Sequence, residues 1–168
     1  QAAADRFIRV AARIEPAAEA ACRRDAPDLN CNFQIGVDDA PDAPVNAFQT
    51  RDSLGRPVII VTVPMIAYVR NDDEMAFVLA HETAHHIARH LDRRQQATKA
   101  SALIFATAAA RTGASGAALE TAARIRAAGY DAINGARYFE RAPDPGNRFL
   151  GTHPPNANRV AAVRAALR

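Results

Sequence analysis

Residues 71–91 read NDDEMAFVLAHETAHHIARHL, and residues 81–85 within them form the pattern H-E-x-x-H. On an α-helix, residues four apart lie above one another, so His81 and His85 can present two imidazole nitrogens to one metal ion. Glu82 lies one step round from that face, where a carboxylate can hold and deprotonate a metal-bound water. The pattern therefore predicts the minimal chemistry of a zinc hydrolase.

The residues around this pattern favour a buried helix that begins at Asn71. Asparagine is a good N-cap, Glu74 stands in the capping-box position, and the two aspartates between them suit the positive end of the helix dipole. Apolar residues occupy most of the following positions, which is typical of a core helix. His86 and His90 fall on other faces, where we expect exposed polar positions. A helix whose histidines merely face solvent is the alternative, but it gives no purpose to a glutamate between two stacked histidines.

The composition indicates a single, helix-rich domain over residues 1–168. Hydrophobic residues make up 49% of the chain and aromatic residues only 6%, so alanine supplies much of the apolar surface. The net charge of +3, from 21 basic and 18 acidic residues, gives little support to nucleic-acid binding. The longest apolar run, residues 102–110, is far shorter than the ~20 residues that span a bilayer. We therefore expect no transmembrane segment and, because no signal peptide is recognisable, a mature soluble form.

Two cysteines, Cys22 and Cys31, bracket a short turn without a C-x-x-C pattern, and they make a poor zinc site. A disulfide that closes this loop is the more attractive interpretation. It would imply an oxidising compartment such as a periplasm. Two buried free thiols are the alternative.

Three segments before the H-E-x-x-H helix predict strands, namely residues 33–37, 45–50 and 57–63. An opening helix over residues 2–24, which Pro16 can break, precedes them, and a short helix over residues 65–70 follows them. We therefore expect an α+β fold with a small antiparallel sheet beside the H-E-x-x-H helix. The exposed edge of such a sheet can bind a protein or peptide substrate as an added strand.

The remainder of the chain predicts further helices, over residues 100–110, 117–128, 131–141 and 158–167. Tyr138 and Phe139 are expected to be core aromatics of the third of these. No internal repeat and no linker divides the chain.

Three short motifs together resemble a known family: residues 81–85 (HETAH), 128–131 (AGYD) and 152–155 (THPP). The sequence is similar to the zinc peptidases that include the CAAX prenyl protease, the HtpX-type membrane heat-shock proteases and their soluble periplasmic relatives, peptidase family M48. The similarity runs from about Cys22 to the C-terminus, and it includes Asn46-Ala47-Phe48 before the third strand and Arg159 in the last helix. The resemblance implies a mostly helical, gluzincin-like α+β fold with zinc-dependent endopeptidase activity.

The resemblance also implies roles for individual residues. His81 and His85 match the zinc ligands of the family, and Glu82 matches its general base. His153 matches a histidine on a loop that approaches the active site in relatives, where it could hydrogen-bond the developing oxyanion or occupy the open zinc position. A turn histidine made rigid by two following prolines is the alternative for His153.

The sequence departs from the family at the third zinc ligand. Relatives supply a glutamate from an E-x-E-A-D segment shortly before the A-G-Y-D corner, and no such segment stands here. We interpret this as the absence of that piece near Ile125–Arg126. Glu120 is the nearest carboxylate and could substitute as a ligand; otherwise it is an ordinary solvent-facing helix residue.

These observations favour metal-assisted hydrolysis of peptide bonds with Zn²⁺ as the cofactor. The expected role is protein quality control in the periplasm or another extracytoplasmic compartment, free or associated with the membrane. A catalytically weak peptidase-like module that binds misfolded partners is the second hypothesis, and the missing glutamate is its main support.

Overall fold

A computed structural model of the chain describes residues 1–88, 126, 128–142 and 156–166. Its elements are α1 (Ala2–Asp25), β1 (Gln34–Asp38), β2 (Ala47–Arg51), β3 (Pro57–Thr62), α2 (Val63–Tyr68), α3 (Asp72–Ile87), α4 (Ala132–Ala136), α5 (Tyr138–Arg141) and α6 (Asn156–Ala166). The predicted α+β class is confirmed, since one small sheet accompanies a mostly helical chain. The helix predicted over residues 100–110 lies outside the described residues, and so does the one predicted over residues 117–128 except for Arg126 and Ala128.

The sheet is mixed, whereas the sequence led us to expect an antiparallel one. Its strand order is β1-β3-β2, with β1 parallel to β3 and β2 antiparallel to β3. The link over residues 39–46 carries the chain past the end of β3, so that β1 and β2 flank it about 10 Å apart. β3 takes the central position that suits its continuous apolar run, and Ile59 and Val61 are fully buried there.

The opening helix α1 packs one apolar face on the core and continues through Pro16. Its buried residues recur at helical spacing: Phe7, Val10, Ile14, Ala18, Ala21 and Cys22. Pro16 lies on the exposed side, where water can bond the carbonyl group that a proline leaves without its helical donor. The break that we considered at Pro16 therefore does not occur.

The predicted disulfide between Cys22 and Cys31 is present, with the two Cα atoms 5.6 Å apart. It closes the turn between α1 and β1, and both cysteines belong to the main core. Closing a loop of this length stabilises a fold by about 2–3 kcal/mol in the chain-entropy account. The turn carries Asn30, which contacts the H-E-x-x-H helix, as described below.

A second apolar cluster joins α3 to the C-terminal helices. It consists of Phe77, Ala80, Ala132, Ala136, Phe139 and Val163. The helix predicted over residues 131–141 is divided at Arg137 into α4 and α5, but Phe139 is buried and Tyr138 half-buried, as expected of core aromatics. Within the described part of the chain, no helix combines the length and the apolarity needed to cross a membrane.

Gly135 allows α4 to lie directly on α3. A Cβ atom at this position would stand 2.5 Å from the carbonyl oxygen of Asp73 and 2.9 Å from Cβ of Phe77. Because real Cβ atoms do not approach backbone oxygens so closely, the contact between the two helices requires glycine.

Candidate metal centre

The helix that carries the H-E-x-x-H pattern begins where the sequence predicted. The Asn71 side chain accepts a hydrogen bond from the Glu74 N–H at 2.9 Å, so Asn71 is the N-cap of α3. The Glu74 carboxylate accepts from the Arg70 N–H at 2.8 Å and not from the N-cap N–H, which differs from the expected capping box. The first turn of α3 is therefore fixed by two hydrogen bonds, each from a backbone N–H to a side-chain oxygen.

The two aspartates of this turn bind different elements of the fold. Asp72 accepts a bidentate hydrogen bond from Arg9 of α1, at 2.8 and 3.1 Å. Asp73 accepts from the Asp131 N–H at 2.9 Å and from the Asn134 amide at 2.7 Å, both at the start of α4. These bonds fix the first turn of α3 between α1 and the A-G-Y-D corner.

Glu74 forms a buried ion pair with Arg141 at the end of α5. The two guanidinium nitrogens of Arg141 lie 2.6 and 2.7 Å from the two carboxylate oxygens, and the Glu74 side chain is only 2% exposed. Burial opposes ionisation of Glu74, but the hydrogen bonds from Arg141 and from the Arg70 N–H outweigh it. The pKa of Glu74 therefore lies below its ordinary value of 4.5.

Two turns later, α3 brings the predicted metal ligands together. His81 Nε2 and His85 Nε2 are 3.1 Å apart, and both rings are half-buried. The ligand atoms of His81, Glu82 and His85 all lie within 4.8 Å of one another. These are the three side chains for which the sequence predicted a metal site and a general base.

The geometry of this group fits a zinc ion. Two imidazole nitrogens that bind Zn²⁺ at 2.0–2.1 Å with tetrahedral angles are about 3.3 Å apart, close to the separation of the two Nε2 atoms. Imidazole nitrogen is also a preferred zinc ligand. His81 and His85 could therefore hold one zinc ion.

Two phenylalanine rings pack beside His81. The Phe77 ring lies one turn earlier on α3 and is nearly parallel to the imidazole, at 6.2 Å between centroids and 12° between planes. Phe139 of α5 meets both rings edge-on, at 5.3 Å from Phe77 and 6.2 Å from His81. The sequence predicted Phe139 as a core residue but not as a neighbour of His81, because the contact spans 58 residues of chain.

Comparison with family models identifies the chain. The model of peptidase family M48 matches residues 5–142, which include the H-E-x-x-H helix. The chain belongs to peptidase family M48. No curated protein and no solved structure matched it. Membership indicates a peptidase, and therefore a hydrolase, of a generally metal-dependent kind.

One histidine of this M48 peptidase is not where we expected it. His86 is 2% exposed, so the prediction of an exposed polar position was wrong. Its Nε2 lies 2.8 Å from the carbonyl oxygen of Asn30, and its ring meets Phe33 edge-on at 5.4 Å. His86 thus joins the H-E-x-x-H helix to the loop that the disulfide closes. A histidine can be buried when a carbonyl accepts a hydrogen bond from its ring N–H. The prediction failed because hydrophobic periodicity counts histidine as polar and does not include such a partner.

The remaining predicted site residues lie outside the described residues. They are His153 in the T-H-P-P motif, the substitute ligand Glu120, and His90. Their assigned roles stay predictions.

Proposed function

We propose that this M48 peptidase is a zinc-dependent endopeptidase with Glu82 as its general base. One observation carries the proposal: the His81 and His85 nitrogens converge to 3.1 Å on α3, with the Glu82 carboxylate in the same group. The three side chains lie inside the span that the family model matches. Because the group is half-buried, water or substrate could reach a metal ion bound there, while the side chains that hold the ion keep their geometry.

Each side chain has a distinct task in this mechanism. His81 and His85 would hold the zinc ion, which supplies Lewis-acid polarisation of the scissile carbonyl and lowers the pKa of water when bound. Glu82 accepts a proton from the attacking water and donates it to the nitrogen of the leaving amine. The C–O bond to the water oxygen forms first, the C–N bond breaks once the amine nitrogen has received the proton, and the Glu82 carboxylate is regenerated.

The substrate would bind along β2, which contacts α3 and has β3 as its neighbour on one side. The Thr62 N–H donates to the Asn46 carbonyl at 3.0 Å, and the Asp52 N–H donates to the Arg56 carbonyl at 3.0 Å. In an antiparallel pair, bonded and non-bonded residues alternate along each strand. The N–H and C=O groups of the intervening residues Ala47, Gln49 and Arg51 therefore point to the other edge, where an extended peptide could add as a strand.

The Cys22–Cys31 disulfide supports a location in an oxidising compartment, where such bonds persist. We propose protein quality control in the cell envelope as the setting. A partly unfolded protein is a fitting substrate, because strand addition uses backbone groups that every extended chain offers.

Replacement of Glu82 tests the mechanism. Glu82→Gln should retain zinc, measured by elemental analysis, and lose chelator-sensitive cleavage of casein by about 10²–10⁴-fold. Glu140→Gln is the matched control, since it makes the same change on an exposed residue of α5, and it should retain activity. Unchanged cleavage by Glu82→Gln would refute the assignment of the base.

The second candidate is a peptidase-like module that binds extended chains without cleaving them. The missing E-x-E-A-D glutamate favours it, because two histidines alone bind zinc weakly. Parent protein that contains no zinc and leaves casein intact, yet binds an unfolded protein, would support this module over the enzyme.

A further inference from the structure

Phe139 contacts the metal site from a different element. Its side chain is 5% exposed, and its ring edge meets both the His81 ring and the Phe77 ring that stacks on it. Edge-to-face contacts at these centroid distances are favourable and directional. The His81 imidazole consequently packs beside a pair of aromatic rings, one from its own helix and one from α5.

The position of α5 is fixed in turn by three contacts at its last residue. Arg141 forms the bidentate ion pair with Glu74. Its carbonyl oxygen accepts from the Tyr68 hydroxyl at 2.8 Å, and its guanidinium lies 5.7 Å from the centre of the Tyr68 ring. Bidentate geometry restrains the direction of α5 as well as its distance from α3.

We propose that Phe139 is a positioning residue for the metal ligand His81, and that the Arg141–Glu74 pair keeps Phe139 in place. The proposal rests on the metal site of the proposed function, and it adds residues outside the H-E-x-x-H pattern. A ring held by two aromatic neighbours loses less torsional freedom when it binds a metal ion. Residues that orient metal ligands through hydrogen bonds typically change metal affinity 10–100-fold when they are replaced, and we expect an effect near the lower end of that range from an aromatic neighbour.

The test is metal affinity of the full chain, measured for Zn²⁺ and Co²⁺ by competition with a chelator. Phe139→Leu removes the ring and should weaken both affinities by about 10-fold or more. The Co²⁺ absorption spectrum should change as well, because it reports ligand geometry, which a loss of stability alone leaves intact. Phe139→Tyr keeps the ring edge and should restore both readouts.

Phe7→Leu is the matched control, because Phe7 is also buried, at 8% exposure, but belongs to α1 in the main core. It should lower the melting temperature of the metal-free protein and leave metal affinity unchanged. Arg141→Met should weaken metal affinity even though Glu74 lies seven residues before His81. If Phe139→Leu does not fold, Phe139→Met removes the ring but leaves a flexible side chain that can fill the gap, and it carries the same expectation.

The outcomes separate this inference from the proposed function. A parent protein that binds neither ion would refute the metal site itself. A parent that binds zinc, together with folded ring-less variants of unchanged affinity and spectrum, would refute the positioning role alone. An equal loss of affinity in Phe7→Leu would also refute it, since the effect would then follow general core stability.

Discussion

The two ends of α3 are stabilised in different ways. At its first turn, three acidic side chains bond to groups in α1, the A-G-Y-D corner and α5. At the turn that carries His81 and His85, aromatic rings pack against the helix and the half-buried nitrogens approach each other. Seven residues separate Glu74 from His81, a distance of about 10 Å along a helix. The ion pairs and the proposed metal site thus occupy separate turns of one helix.

The separation has a physical reason. Carboxylates near a helix N-terminus are favoured by its dipole, so the first turn can hold three of them at little cost. A guanidinium beside the histidines would repel a metal cation bound there. Aromatic contacts orient an imidazole without adding charge. Breaking each kind of contact should therefore affect stability and metal binding in different proportions.

The largest effect on stability is expected from Arg141→Met. This change leaves the Glu74 carboxylate buried without its guanidinium, and loss of one member of a buried pair typically costs 3–5 kcal/mol. Glu74→Gln should cost less, because Arg141 is 20% exposed and water can reach its guanidinium. Chemical denaturation at neutral pH measures both free energies of unfolding.

The pH dependence of the same variants checks the cause. The pKa of Glu74 is lowered in the folded protein, so the pair stabilises above the ordinary value of 4.5 and its contribution is lost as the pH falls through the folded value. In Arg141→Met, burial without the guanidinium raises the pKa of Glu74, and protonation at low pH then relieves the cost. The difference between parent and variant should shrink on acidification. A difference that stays constant below pH 4.5 would show that the ion pair is not responsible.

A smaller loss is expected when the helix contact at Gly135 is overpacked. Gly135→Ala would place a methyl group against the Asp73 carbonyl, so α4 must move away from α3. We expect destabilisation of about 1–3 kcal/mol, although alanine is the better helix former.

Gly36→Ala is the matched control for that change. The nearest atom to a Cβ there is the flexible Cδ1 of Ile60 at 3.2 Å. Its effect should stay within about 0.5 kcal/mol, because the tight contact is offset by the lower entropy of the unfolded chain. Equal losses in the two variants would mean that the loss in Gly135→Ala does not come from the close contact between α3 and α4.

Local patterns in the sequence predicted most elements of the fold. The three strands begin and end within two residues of the predicted bounds, and Asn71 caps α3 as expected. Apolar alternation and helix capping each depend on a few neighbouring residues, so a single sequence is enough to predict them. The parallel pairing of β1 with β3 could not be predicted from the sequence. Both β1 and β2 have residues suited to pair with β3, and only the path of the link over residues 39–46 decides how the strands are arranged.

The site shows the same division between local and distant information. His81, Glu82 and His85 come together because helical spacing alone places them. Glu74 looked like a local capping residue, yet its main partner Arg141 lies 67 residues away. Phe139 is likewise brought to His81 by tertiary packing, which no spacing rule encodes.

The smallest effect is expected at His86, which directly follows the H-E-x-x-H pattern and forms a hydrogen bond with the loop that the disulfide closes. His86→Leu keeps an apolar ring-sized side chain against Phe33 but removes the donor for the Asn30 carbonyl. A hydrogen bond of this kind contributes about 0.5–1.5 kcal/mol, and we expect a loss of that size in the free energy of unfolding. Asn30→Asp is the control, because it retains both the backbone carbonyl that accepts the bond and the side-chain oxygen that accepts from the Asn32 N–H at 3.0 Å. If His86→Leu were neutral, or if Asn30→Asp cost as much, the bond would not anchor this turn. The aromatic contacts around His81 would then be what orients the turn.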